Sequence, residues 1–164
     1  MTDRAAVLVT GGAGYIGSHV CKALSALGYL PVAFDNLITA GKLGAEMPEL
    51  ANVEVRRQDV CKPIDWDGPL DYVIHAAGIA SPYYYRAYPL ETLEVAITGT
   101  KNMLEVAEAN DARFTFFSSS EIYGDPDPGT CRWRKAIAAT CPARGRAPAM
   151  MNPSASAKHS ATSS

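Results

Sequence analysis

A glycine-rich turn, set between an apolar run and an amphipathic run, is the feature that most constrains how this chain can fold. Residues 5–10 (AAVLVT) form a short apolar run typical of a strand buried on both faces. The turn that follows reads GGAGYIG and places Gly11, Gly14 and Gly17 three residues apart. Residues 14–28 then carry apolar side chains at helical spacing and end on a glycine, which suits a helix stop. A strand, a glycine turn and a helix in this order predict the opening unit of a parallel α/β sheet.

The alternation of strand and helix continues along the first 128 residues. Strands are predicted at four further places, residues 31–35, 53–57, 71–75 and 113–118. A long amphipathic helix is predicted over residues 89–109, with Leu93, Ile97, Thr100, Leu104 and Ala107 on one face. We therefore expect an α/β fold, a Rossmann-type doubly wound parallel sheet with helices on both faces, truncated after about the fifth strand.

The composition changes abruptly after Pro128. Every Asp and Glu lies at or before Asp127, whereas residues 129–164 carry six Lys and Arg and are rich in Ala, Pro and Ser. No apolar period of two or of 3.6 residues continues there, and prolines interrupt any helix. The sequence predicts a cofactor-binding domain at residues 1–128 and a disordered tail at residues 129–164.

Charge and composition argue against several classes of function. The formal net charge of -2 favours neither nucleic acid nor a membrane surface as a partner, and the basic tail has only Trp133 to stack on bases. No apolar run reaches the ~20 residues of a membrane span, and the first residues lack a secretory signal, so we expect a cytoplasmic protein. The four cysteines form no Cys-x-x-Cys pair and have no His at metal-ligand spacing, which predicts neither a metal site nor a disulfide.

The glycine turn suits the pyrophosphate of a dinucleotide. Its glycines permit a tight turn and a close approach of the backbone, while the helix N-terminus at Tyr15 and Ile16 offers free N–H groups. Asp35 ends the second strand, where a carboxylate accepts hydrogen bonds from the adenosine ribose and repels a 2′-phosphate. These features predict NAD rather than NADP, with Asn36 beside the same ribose.

The next two strand ends are candidates for the same site. Asp59 and Val60 follow the third strand, where the acid either reaches the adenine amino group or is a solvated turn residue. Small residues follow the fourth strand and let backbone lie against a cofactor: Ala76, Ala77 and Gly78. We interpret the preceding His75 as a packing residue rather than as a ligand or base.

The motifs TGGAGYIGSH, FDN, HAAG and SSSEIYGDP together resemble the extended short-chain dehydrogenases/reductases of the NAD-dependent epimerase/dehydratase family. The resemblance covers residues 5–128, and residues 80–124 are most similar to the UDP-glucuronate decarboxylases. It implies NAD as cofactor, a UDP-sugar as substrate and a homodimer. It also implies oxidation of the sugar C4 hydroxyl, loss of carbon dioxide from the resulting 4-keto acid, and re-reduction at C4. In that family the base belongs to a Tyr-x-x-x-Lys pair, whose lysine lowers the pKa of the tyrosine.

The resemblance assigns catalytic roles after the fifth strand. Ser119 and Ser120 match the hydroxyl groups that bind the C4 oxygen, and Glu121 matches the carboxylate implicated in decarboxylation. Ser-Ser-Glu favours a decarboxylase, since sugar dehydratases resemble Thr-Asp-Glu here and epimerases usually lack the Glu. The alternative is a polar strand end that caps backbone groups. Residues 81–86 match a substrate-side loop or are a tyrosine-rich surface loop.

The chain departs from the family because it has no Tyr-x-x-x-Lys. All eight tyrosines lie at or before Tyr123, and none has a lysine four residues later. When residues 149–155 are back-translated and read from the third base of each codon, the shifted frame permits Tyr-Asp-Glu-Ser-Lys-Arg. We therefore hypothesise that residues 129–164 are a frameshift product, that hydride transfer is slow or absent, and that the chain dimerises poorly.

Three functions stay open on the sequence. The chain is an impaired nucleotide-sugar oxidoreductase that resembles the UDP-glucuronate decarboxylases, or a stand-alone NAD-binding module without catalysis. The third candidate is a relative of the nucleotide-sugar 4-epimerases and 4,6-dehydratases. Turnover after repair of the reading frame separates the enzyme from the binding module.

Overall fold

The computed structural model describes residues 4–39 and 49–119. The strands in these residues are β1 (Ala6–Thr10), β2 (Leu30–Asp35), β3 (Glu54–Arg57), β4 (Tyr72–His75) and β5 (Arg113–Phe116). The helices are α1 (Tyr15–Ala26), α2 (Pro82–Ala87), α3 (Pro89–Glu94) and α4 (Thr100–Ala109), with a π-helical turn, Val95–Gly99, between α3 and α4. The chain divides into two compact units at residues 1–117 and 118–164, and only Ser118 and Ser119 are described in the second.

The five strands form one sheet in the order β3-β2-β1-β4-β5, and each neighbouring pair is parallel. The chain builds outward from β1 through β2 and β3, then returns to the other side of β1 with β4 and β5. This reversal confirms the doubly wound α/β fold that the alternation of strands and helices predicts. In such sheets a crevice opens beyond the carboxyl ends of the strands where the order reverses, here between β1 and β4.

Apolar side chains alternate between the two faces of the central strand and form two cores. Val7 and Val9 pack on one face with Cys21 of α1. Leu8 packs on the other face in a cluster that includes Met103 of α4. Because successive side chains of a strand point to opposite faces, β1, which is buried throughout, requires helices on both sides, and it has them.

The end of α1 is fixed by a glycine and by an arginine. Gly28 adopts φ +91°, a left-handed conformation that ends a helix at little cost in glycine. The Arg4 guanidinium donates hydrogen bonds to the carbonyl oxygens of Gly28 (2.6 Å) and Tyr29 (2.8 Å). The helix therefore stops where the sequence predicts, and the chain turns directly into β2.

The helix predicted over residues 89–109 is present, but the prediction of which face of it is buried was wrong. Of the five residues predicted to share a face, only Ala107 is buried, while Leu93, Ile97 and Leu104 are exposed. The face that packs on the sheet is formed by Gly99, Met103, Val106 and Ala107. A π-helical turn contains more residues per turn than an α-helix, so it rotates the faces before and after it, which a constant period of 3.6 does not anticipate.

Two other features differ from or extend the sequence interpretation. Residues 81–86 were matched to a loop, but all of them except Ser81 lie in the short helix α2, Pro82–Ala87. β5 pairs with β4 alone within the described residues, and Phe116 and Phe117 at its end are about half exposed. In the part of the chain that the structure describes, no helix has the length and apolarity needed to cross a membrane.

Candidate functional site

A cleft of about 440 Å³ opens at the carboxyl ends of β1, β2 and β4. It lies at the reversal of strand order, which is the place that this class of sheet uses for ligands. Every residue that the sequence suggested for cofactor binding lines it: Gly11, Gly14, Tyr15, Ile16, Gly17, Asp35, Asn36, Asp59, Val60, Ala76, Ala77 and Gly78. Residues from four separate stretches of sequence thus meet around one space.

The glycine turn packs too tightly for side chains at Gly11, Gly12 and Gly17; a Cβ at Gly12 would lie 2.5 Å from the Cβ of Ala33. Gly11 has φ +68°, and a Cβ there would lie 2.8 Å from the carbonyl oxygen of Ala76. A Cβ at Gly17 would lie 2.1 Å from the carbonyl oxygen of Gly11. The absence of these side chains lets α1 begin against the end of β1, so that the first residues of α1 line the cleft. The free amides of a helix N-terminus and the positive end of the helix dipole favour a phosphate group.

Asp35 holds the glycine turn and remains available to a ligand. One carboxylate oxygen accepts a hydrogen bond from the Ala13 amide (3.1 Å), and the other accepts one from the Leu37 amide (2.8 Å). A carboxylate can accept about four hydrogen bonds, so both oxygens keep capacity for ribose hydroxyl groups. The side chain is half-buried at the cleft, which places a fixed negative charge where a 2′-phosphate would be repelled.

Asp59 and Cys61 form a second polar corner of the cleft. The Asp59 carboxylate accepts a hydrogen bond from the Cys61 amide (2.9 Å) and so fixes the turn after β3. Burial raises the pKa of the Cys61 thiol to about 11, and the negative charges of Asp59 and Glu94 act in the same direction. Cys61 is therefore a neutral thiol near neutral pH.

Thr10 organises the turn that follows β4. Its hydroxyl oxygen accepts hydrogen bonds from the amides of Ala76 (3.2 Å) and Ala77 (3.1 Å) and lies 2.7 Å from Nδ1 of His75. Thr10 and His75 are almost completely buried. The small residues after β4 are thereby held against the glycine turn, as the close approach of Gly11 to Ala76 also requires.

The cleft includes several residues that sequence reasoning did not select for cofactor binding. Ser81, just before α2, and Tyr84, within α2, belong to residues 81–86, which the sequence matched to a substrate-side loop or a tyrosine-rich surface loop. Glu91, Glu94 and Val95 lie in α3 and the π-helical turn. The amphipathic pattern gave no sign that they line the cleft, because it predicted a different buried face for this helix. Among the described residues, no cluster of three or more His, Cys, Asp or Glu side chains could hold a metal ion.

The catalytic candidates lie at the limit of the described chain. Ser119 is exposed, and it belongs to the second compact unit. Ser120 and Glu121 fall outside the described residues, as do residues 129–164 with the predicted disorder and frameshift. Their roles therefore stay predictions.

The sheet and the glycine-turn cleft together define a class of protein, the α/β domains that bind a dinucleotide at the carboxyl edge of a parallel sheet. The family model described as NAD dependent epimerase/dehydratase family matches residues 7–148. The chain belongs to this family, whose cofactor is NAD. The match extends past Pro128 and ends within residues 129–164, the segment for which we hypothesise a frameshift.

Curated relatives and a solved structure agree with the family. UDP-glucuronic acid decarboxylase 2 of Arabidopsis thaliana is 41% identical over 122 residues, which are 73% of this chain and 27% of that protein. UDP-glucuronic acid decarboxylase 1 of Danio rerio is 38% identical over 126 residues, 76% of this chain and 30% of that protein. The Thermus thermophilus UDP-glucose 4-epimerase complex with NAD is 29% identical with a TM-score of 0.63, over 80% of this chain and 43% of that one. The chain thus spans about a third or less of the curated relatives named here.

Proposed function

We propose that this chain binds NAD in the cleft at the carboxyl ends of β1, β2 and β4. The observation that carries the proposal is the convergence of an α1 N-terminus with no side chain at Gly11 or Gly17 and a carboxylate, Asp35, at the end of β2. The pyrophosphate would lie on the amides at the start of α1, near Tyr15 and Ile16. The adenosine ribose would lie at Asp35 with Asn36 beside it.

The rest of the cofactor follows from the order of the strands. Asp59 and Val60, at the end of β3, lie on the β2 side of the cleft and would contact the adenine. Ala76, Ala77 and Gly78 follow β4 on the opposite side and would contact the nicotinamide half. The described lining residues include no Lys or Arg, so backbone amides would supply the attraction for the pyrophosphate.

We propose further that the chain derives from a UDP-glucuronate decarboxylase. The similarity to decarboxylases of this name supports it, together with the Ser-Ser-Glu sequence after β5. NAD, when bound, would accept the hydride from the sugar C4 and return it later. Ser119 and Ser120 would hold the C4 oxygen through their hydroxyl groups, and Glu121 would act in the loss of carbon dioxide.

Turnover by this chain is expected to be slow or absent. The tyrosine base and its lysine are missing from the sequence, and general acid–base catalysis of this kind contributes about 10²–10⁴-fold. We attribute the loss to a frameshift that leaves a cofactor-binding domain at residues 1–128 and an aberrant tail at residues 129–164. The alternative, a binding module without catalytic ancestry, makes the same prediction for this chain but not for a frame-restored one.

Calorimetric titration of the 164-residue chain with NAD and with NADP tests the binding proposal. We expect NAD to bind more tightly than NADP, and Asp35→Asn to lower NAD affinity by about tenfold, because a charge-assisted hydrogen bond is lost. Glu108→Gln removes one negative charge from the exposed face of α4 and is the matched control. Absence of NAD binding, or equal binding of NAD and NADP, would refute the proposal.

A second assay separates the enzymatic alternatives. The frame-restored protein is incubated with UDP-glucuronate or with UDP-glucose, and the products are separated by chromatography. Release of carbon dioxide and a UDP-pentose from UDP-glucuronate supports the decarboxylase. Conversion of UDP-glucose to its C4 epimer instead supports an epimerase, which the likeness to the epimerase structure favours. No product from either sugar supports the binding module.

A further inference from the structure

We infer that His75, which the sequence indicated only as a packing residue, is a positioning residue for the NAD cleft. It acts through Thr10 and holds the turn of Ala76 and Ala77 in its binding conformation. This inference rests on the proposed NAD site. Its basis is a buried hydrogen-bond chain that crosses from β1 through the imidazole of β4 to α4.

The proton positions in this series of hydrogen bonds follow from the number of hydrogen bonds at the Thr10 hydroxyl group. The Thr10 hydroxyl oxygen accepts from the amides of both Ala76 and Ala77. A hydroxyl oxygen has two acceptor sites and one proton, so the proton that remains is directed to Nδ1 of His75, at 2.7 Å. Nδ1 must therefore be the unprotonated nitrogen of a neutral imidazole.

The other ring nitrogen ties the same group to α4. With Nδ1 as acceptor, Nε2 carries the proton and donates to the Thr100 hydroxyl oxygen at 3.2 Å. Gly99, the residue before Thr100, approaches Val60 so closely that a Cβ at Gly99 would lie 2.8 Å from a Val60 methyl group. Val60 lines the cleft. The imidazole thus links the turn after β4 to the helix that packs against the opposite side of the cleft.

Protonation of His75 is incompatible with this arrangement. The imidazolium would present an N–H to the Thr10 oxygen, whose acceptor sites are already filled by two amides. One amide of Ala76 or Ala77 would then lose its partner, at the turn that lines the cleft. The imidazole contacts the hydroxyl groups of Thr10 in β1 and Thr100 in α4, and the rings of Phe114 and Phe116 in β5. None of these groups titrates near neutral pH. Burial alone lowers the pKa of His75.

Titration of three chains with NAD at about pH 7.5 and about pH 5.5 tests the inference. Wild-type affinity should fall at the lower pH, since the neutral ring is required, but by less than about tenfold, because burial lowers the pKa of His75 and part of the protein keeps a neutral ring there. His75→Phe fills the same space without a nitrogen and should lose about tenfold at both values. His75→Asn offers an oxygen near the Nδ1 position that accepts from Thr10 and does not titrate. It should recover most of that loss and remove the pH dependence.

A purely structural role for His75 predicts a different result. In that case both substitutions of His75 would lower the free energy of unfolding without changing the NAD affinity of the folded molecules. Asn110→Ala, which removes a hydrogen bond to the Val106 carbonyl in α4, measures the effect of lost stability alone. If His75→Phe does not fold, Thr100→Val is used, because it removes only the Nε2 acceptor and should weaken NAD binding by about threefold.

Amide hydrogen exchange without NAD separates this inference from the proposed function. The amides of Ala76 and Ala77 should exchange faster in His75→Phe than in His75→Asn, while the Ala33 amide in the central sheet should not change. If the wild-type chain binds no NAD, the proposed function fails and exchange alone decides whether the imidazole holds the turn. Equal exchange in both variants, or equal NAD affinity of all three chains at both pH values, overturns the inference.

Discussion

Replacement of Gly17 by alanine should test the packing of the glycine turn directly. The new Cβ would lie 2.1 Å from the carbonyl oxygen of Gly11 and 2.8 Å from the Cα of Gly12. Real Cβ atoms essentially never come within 3.0 Å of such atoms, and both are backbone atoms that cannot rotate away. The start of α1 would have to move by about 0.9 Å, which costs about 1–3 kcal/mol in a close-packed site.

Thermal unfolding followed by circular dichroism measures this cost. We expect Gly17→Ala to lower Tm by several degrees, at about 2–4 °C per kcal/mol for a chain of this size. Gly78→Ala is the matched control, because a Cβ at Gly78 meets no atom within 4 Å and its φ is not left-handed. It should be neutral or slightly stabilising, through a less flexible unfolded chain.

Gly17→Ala also reports on NAD binding. A displaced α1 moves its N-terminal amides away from the pyrophosphate, so Gly17→Ala should bind NAD more weakly in the folded molecules that remain. Equal Tm values and equal NAD affinities for Gly17→Ala and wild type would refute the reasoning. They would mean that α1 adjusts without cost, and that the close contact with Gly11 has no role in the site.

Three further predictions follow from the described residues. Cys61 should react slowly with iodoacetamide at about pH 8, because a pKa of about 11 leaves little thiolate, and bound NAD should slow the reaction further since Cys61 lines the cleft. Alkylation at the rate of a free cysteine, unaffected by NAD, would contradict this. Arg4→Ala should lower the free energy of unfolding by about 0.5–1.5 kcal/mol in urea titration, because the carbonyls of Gly28 and Tyr29 lose their donor; no change would show that water replaces the guanidinium. Sequencing the DNA across residues 125–164 should reveal a missing base near the codon for Pro128, and a confirmed frame would end the frameshift hypothesis.

Local sequence features determined the fold class and half of the residues that line the candidate cleft. The apolar strand, the glycine turn and the acid at Asp35 lie close together in the chain, and each has a local physical reason. Gly11 and Gly17 could be predicted because a side chain at either position would collide with backbone atoms. β1 could be predicted because a short, mostly apolar run is typical of a strand buried on both faces. Parallel strands then bring their carboxyl ends to one edge, so the positions of Asp59 and Ala76 followed from topology alone.

The tertiary structure alone decided which face of the helix over residues 89–109 is buried and which residues it adds to the cleft. The π-helical turn shifts the register, so Glu91, Glu94 and Val95 reach the cleft while Leu93 is exposed. The role of His75 was hidden for a related reason. Its partner Thr10 lies 65 residues away, and only the pairing of β1 with β4 brings them to 2.7 Å. Local patterns report the preferences of neighbours in the chain, whereas hydrogen bonds between distant residues depend on how the whole sheet is assembled.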